Sequence, residues 1–176
     1  MKFTFKLGSK KLKGFKKKLN DAPKAVRRDD AREMGKGVIK LMKALISTGK
    51  SPIESRGSFP AYRGGYKAQI KNKGYVYSGG QKYSKSLSPV NLKVSGRFLS
   101  KIVSSTERGK YGFGVTVGFN QDYGKDLEKY HRRGANGQAK RPIIPNSREL
   151  FTPKIMNYYK REVIKSMNRV IKRKVS

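Results

Sequence analysis

Charge is the strongest constraint on this chain: 43 Lys+Arg oppose 11 Asp+Glu, leaving +32 at neutral pH. Repulsion on that scale works against a compact isolated monomer and favours a bound polyanion or an acidic protein surface. An apolar share of 35% supplies only a thin interior to set against it. The expectation is a modest core completed by assembly or by partners. At 176 residues the chain reads as a basic arm, residues 1–24, followed by a single domain, residues 25–176.

The charge is uneven. Residues 1–28 hold eleven Lys/Arg and one acid, Asp21, so 11 minus 1 gives +10. No acid occurs between Glu54 and Glu107, whereas Asp29, Asp30 and Glu33 cluster where a helix should begin. The candidate contacts to a polyanion or an acidic partner are therefore Lys10, Lys11, Lys13, Lys16, Lys17 and Lys18 in the arm. Arg63, Lys67, Lys71 and Lys73 in the centre join them. The absence of cysteine excludes disulfides and thiolate chemistry and suits a reducing cytoplasm. No apolar run has the length of a membrane span, and no signal-peptide core follows the first lysines, so a soluble product made in the cytoplasm is expected.

Periodicity sets out the elements. MKFTFKL alternates as a short strand, and KKLKGFKKKL spaces Leu12, Phe15 and Leu19 as a basic amphipathic helix. From Ala25 to Thr48, Ala31, Met34, Val38, Leu41, Met42, Leu45 and Ile46 form one helical stripe, with Gly49 as the stop. Gly35 and Gly37 inside it mark a close approach of another backbone. Residues 50–90, rich in Gly, Ser, Pro, Tyr and Lys, show no lasting period and read as an extended functional loop or one ordered against a partner. Its tyrosines, Tyr62, Tyr66, Tyr75, Tyr77 and Tyr83, alternate with cations and suit stacked bases or a protein interface. The interface is preferred because no recognisable nucleic-acid module surrounds them. Leu92, Phe98, Leu99 and Ile102 predict a short helix capped by Ser95. YGFGVTVGF is the clearest strand: Tyr111, Phe113, Val115, Val117 and Phe119 on one face, Gly112, Gly114, Thr116 and Gly118 on a bare one that invites a closely packed neighbour. Val103–Glu107 pairs with it as a hairpin. After a short helix, GKDLEKYH, a long terminal helix begins with Thr152 as N-cap and Pro153 in its first turn. Its stripe is Ile155, Met156, Tyr159, Val163, Met167, Val170 and Ile171. The fold class is α+β: a small antiparallel sheet, a long helix in the N-terminal half, a long C-terminal helix and an extended central loop.

Chemistry is sparse. His131, the one histidine, has only Asp122, Asp126 and Glu128 nearby, amid Lys125, Lys129, Arg132 and Arg133, which repel a divalent cation. There is no phosphate-binding Gly-rich loop and no Ser-His-acid ordering. No catalytic, metal or cofactor residue is assigned, and the chain is read as no enzyme. A small metal nuclease built on His131 stands as a third reading.

The ordered segments carry a resemblance. Ser95-Gly96-Arg97-Phe98 opens the short helix. Tyr130 to Gly134 follows the hairpin, with His131-Arg132-Arg133 between them where an acidic residue is usual. Arg141-Pro142-Ile143-Ile144-Pro145 then leads into the terminal helix. This order resembles the tail completion family of tailed bacteriophages, also described as minor tail, neck or virion-morphogenesis proteins. The resemblance implies an α+β subunit of a homo-oligomeric ring, a hexamer or dodecamer, at the head-proximal end of the tail. The implied neighbours are connector, tail terminator or tail tube proteins, with non-specific contact to packaged DNA and no membrane. It implies residence in the virion, after assembly in the host cytoplasm, and no enzyme activity. Tyr130, His131, Arg132, Arg133, Gly134, Arg141 and Pro142 are the candidate inter-subunit loop, with an Arg/His rim. The alternative is a stand-alone basic nucleic-acid-binding protein of ribosomal or nucleoid type.

Overall fold

The computed structural model describes residues 3–4, 26–78, 80–92, 96–109, 112–120, 122–134 and 139–175. The expected N-terminal amphipathic helix, the arm lysines from Lys10 to Lys18, Ser95, Tyr111 and residues 135–138 lie outside them. Strand β1 is Phe3–Thr4, and helix α1 is Arg28–Ser47. Helix α2, Gly64–Lys73, precedes a hairpin of β2, Tyr75–Ser78, and β3, Gln81–Ser84. Helix α3, Arg97–Ser100, leads into β4, Ile102–Gly109, and β5, Gly112–Phe119. Helices α4, Asp122–Arg133, and α5, Pro153–Val175, complete the order. The class is α+β.

Three strands form one antiparallel sheet in the order β1-β5-β4. The β4–β5 hairpin runs in register from Ile102↔Phe119 to Gly109↔Gly112. Val115 and Val117 are fully buried, and Phe119 stacks on Phe98 with ring centres 5.2 Å apart. The expected bare face is largely covered too, for Gly112, Thr116 and Gly118 are buried and Gly114 is half-buried. Gly112 is bare for a reason: a Cβ there would lie 2.6 Å from the carbonyl oxygen of Val26, which accepts the Phe113 N–H at 3.0 Å. Its φ of 112° is also one that side chains resist.

Helix α1 buries Ala31, Met34, Gly35, Val38, Met42 and Ile46 against this sheet. Full burial of each larger aliphatic side chain stabilises by about 1.5–3 kcal/mol relative to exposure. Gly35 lets α1 settle onto β4, since a Cβ would stand 2.7 Å from Ser104 Cβ. At Gly37 the close neighbour is the Tyr158 ring of α5. The two interior glycines thus mark close approach, though by side chains rather than by backbone. Helix α5 packs its buried Ile155, Tyr159, Val163 and Met167 into the same core. Asp30 joins the helices by accepting from Ser166 at 2.5 Å and pairing with Arg169 at 3.0 Å.

Several expectations need correction. Residues 50–90 are not one extended loop: they hold α2, the β2–β3 hairpin and a second core of Tyr62, Ile70 and Val76. Helix α3 is only four residues long, and Ile102 belongs to β4 because its side chain joins the sheet core. Helix α4 extends through Arg133, so Tyr130, His131, Arg132 and Arg133 of the candidate inter-subunit loop lie on a helix. Thr152 accepts the Ile155 and Met156 N–H groups through its carbonyl at 3.0 Å. Its hydroxyl is buried without a hydrogen-bond partner among the described residues, so it provides no side-chain cap.

Candidate functional site: a latched connector beside a basic cleft

Helix α4 places Glu128, His131 and Arg132 against the extended connector that runs from Arg141 to Phe151. Glu128 points inward and is 3% exposed. Its carboxylate accepts the N–H groups of Ile143, at 3.2 and 3.3 Å, and of Ile144, at 3.2 Å. One turn later, Arg132 donates Nη2 to Glu128 Oε1 at 3.2 Å and to the Ile144 carbonyl, and Nη1 to Glu149 Oε2 at 3.0 Å. Glu149 also accepts the Asn146 N–H at 3.0 Å and, on its other oxygen, Arg56 Nη2 at 2.7 Å. Two carboxylates and two guanidiniums therefore lock the connector between α4 and the turn at Glu54–Arg56. Buried charges persist when they are paired and hydrogen-bonded in this way.

The environment separates the two acids. Burial pushes the Glu128 carboxyl up to about 7, against the Ile144 and Ile143 amides and Arg132, which pull it down. For Glu149, burial also acts upward, but the bonds from Arg56, Asn146 and Arg132 prevail and hold it below the usual carboxylate range. His131 is driven down to about 4 by burial and by Arg141, so it is neutral at physiological pH. Its ring rests on Phe98, 5.2 Å between centres, and its carbonyl accepts the Arg141 N–H at 2.6 Å. Asp122 and Asp126 are bound to Lys125 at 2.9 Å and Lys129 at 3.2 Å on the outer face of α4. Among the described residues no group of three or more His, Cys, Asp or Glu is gathered as a metal ion would need.

Arg141 corrects the expected rim. It is 3% exposed, and it donates Nε to the Pro60 carbonyl at 3.0 Å and Nη2 to the Pro60 and Ala61 carbonyls at 2.9 and 2.8 Å. Its guanidinium carbon lies 5.0 Å from the Tyr62 ring centre. It thus stitches the connector to the segment that carries α2. Pro142 is buried with it, while Tyr130 and Arg133 face solvent. Gly134 terminates α4 with its N–H on the Tyr130 carbonyl at 2.9 Å and a φ of 71°.

The central cations are on the surface. Arg63 precedes α2, and Lys67, Lys71 and Lys73 lie on it, all exposed, with Lys67 and Lys71 on one face by their four-residue spacing. Beside Arg141, the segment from Ser51 to Pro60 and the connector from Lys140 to Pro142 enclose an open cleft of about 330 Å³. Sequence reasoning weighed Glu128 only as an acid near His131 and passed over Glu149 and Arg56. The four-residue step from Glu128 to Arg132 was visible, whereas the link from Arg56 to Glu149 spans 93 positions and had no local signal. No helix among the described residues is long and apolar enough to cross a membrane. Compared with protein-family models, curated proteins and solved structures, the chain shows no match.

Proposed function

We propose that this chain is a structural protein of a tailed-phage virion, forming a homo-oligomeric ring around the DNA path at the head-proximal end of the tail. One observation carries the reading: the connector from Arg141 to Phe151 is held in a single shape by Glu128, Arg132 and Glu149 as it enters α5. A connector so fixed offers a preformed surface to a neighbour, which lowers the entropic cost of association. Large apolar side chains stand exposed on separate elements: Tyr130 on α4, Leu150 in the connector and Ile164 on α5. Separate patches suit the head-to-tail contacts that close a ring. Connector, tail terminator or tail tube proteins would be its neighbours, and its cations would meet acidic protein or DNA phosphates without sequence preference.

Negative-stain imaging of the purified chain is the test. Closed rings are expected, and Leu150→Asp is expected to abolish them while leaving the circular dichroism spectrum unchanged. A species that stays monomeric even with its neighbours present overturns the proposal.

A second reading, a stand-alone nucleic-acid-binding protein, draws support from the β2–β3 hairpin. There Lys82 Nζ sits 3.9 Å from the Tyr75 ring centre, and Tyr77, 61% exposed, stands edge-on to Tyr75. Tight binding to free DNA or RNA that falls steeply with salt, without rings, would favour it.

A further inference from the structure

We propose that the cleft between residues 51–60 and 140–142 is a discrete site for a phosphate group of a nucleic-acid backbone. The inference deepens the reading above, since it names the group that one subunit grips, but it stands on the cleft and not on ring formation.

The charge balance around Arg141 carries the proposal. A buried cation is stable when something anionic answers it. Every hydrogen bond from the Arg141 guanidinium described above goes to a neutral main-chain carbonyl, of Pro60 or Ala61. Its neighbours do not make up the deficit. Arg56 and Lys140 line the same cleft and Arg63 adds like charge, whereas the latch carboxylates of Glu128 and Glu149 lie outside it. Both carboxylates are already bound to arginine. No carboxylate lines the cleft, whereas Arg56, Lys140 and Arg141 all do.

The shape favours phosphate over a carboxylate. Cations stand on both walls, with hydroxyls on one: Arg56, Ser55 and Ser58 on one side, Lys140 and Arg141 on the other. A tetrahedral group can turn one oxygen to each wall. Phe59, Pro60 and Pro142 supply apolar surface beside these donors, against which a sugar can rest. The volume lies at the low end of pockets that hold small ligands, enough for a phosphate and part of a sugar. Contacts of this kind position a protein on nucleic acid without reading its sequence.

Titration of the full chain at physiological salt tests the site, because screening there suppresses the pull of distant lysines. The probes are inorganic phosphate, a short thymidylate strand and an oligo-aspartate of equal charge, followed by backbone amide chemical shifts. The expected result is that both phosphate probes shift the amides of Ser55, Ser58, Lys140 and Arg141. Lys140→Glu, an exposed position, should weaken strand binding about tenfold, as placing like charge against a phosphate does. Lys160→Glu, exposed on α5 and outside the cleft, should leave it unchanged. Equal losses in the two variants would reduce the effect to diffuse charge and overturn the site. Preference for the aspartate peptide would assign the cleft to an acidic protein, and phosphate binding without the strand would exclude nucleic acid; each also overturns the proposal. Ring formation, scored separately by imaging, distinguishes failure of this site from failure of the assembly reading.

Discussion

The two cores of this chain are held by different forces. The larger one gathers α1, α5 and the β4–β5 hairpin around fully buried Met42, Ile46, Val115, Val117, Ile155 and Phe151, and apolar burial accounts for it. The smaller one has three buried members, Tyr62, Ile70 and Val76, under α2 and the β2–β3 hairpin. Polar stitches supplement so small a core. Tyr62 donates its hydroxyl to the Asn91 carbonyl at 2.6 Å, Lys85 Nζ reaches the same carbonyl at 3.1 Å, and Arg141 holds the carbonyls of Pro60 and Ala61. A scaffold built by burial thus carries a smaller unit tied on by hydrogen bonds. Such a unit opens at lower free energy than its scaffold.

That contrast can be broken at either end. The largest effect belongs to Phe151→Ala in the main core, which should cost about 3–5 kcal/mol and lower the urea midpoint of the whole chain. A loss confined to residues 60–91 would refute the division. The latch comes next. The folded Glu128 carboxyl, raised to about 7 by burial, lies above its unfolded value of 4.5, so the folded state binds the extra proton between them. Its contribution is therefore present below pH 4.5 and lost as pH rises through 7. Urea titrations at pH 5 and pH 8 should show wild-type stability falling by up to about 3 kcal/mol, a fall absent in Glu128→Gln. A rise with pH over that window would contradict the upward shift of the Glu128 carboxyl.

Arg141→Met should cost about 2 kcal/mol, the scale of hydrogen bonds made by a charged donor. Its signature is local: faster amide exchange in α2 and the β2–β3 hairpin, with α1 and β5 unchanged. Smallest is Tyr62→Phe, expected at about 1 kcal/mol for a hydroxyl that donates to the Asn91 carbonyl and accepts the Asn91 N–H, again visible as exchange in the smaller unit alone. Slower exchange in either variant would contradict the stitching role.

The same division explains what the sequence disclosed. Helices α1 and α5 bury one apolar face each, and β5 sets bulky residues on one face against small ones on the other, so their residues repeat at the spacing of their secondary structure. Residues 50–90 have no such repeat, because α2 begins at Gly64-Gly65 and buries only Ile70. Its place depends on Tyr62 and on Arg141, some 80 residues away in sequence. One local signal was there: Gly79-Gly80 between YVYS and QKYS has the spacing of a two-residue hairpin turn, hidden by the surrounding Gly and Ser. Within the candidate site, His131 and Arg141 drew notice by their type, yet one is a neutral packing group and the other a buried tie. Glu128, the group that sets the connector, was masked because an isolated acid among lysines resembles an ordinary surface charge.

On the proposed function, a chain with so high a positive charge works as one of many copies inside a particle. Gold labelling of this subunit in phage particles, imaged by electron microscopy, tests it most directly. Label is expected at the junction of head and tail, in several copies per particle. Particles without label, together with unassembled chain in the lysate, would contradict it.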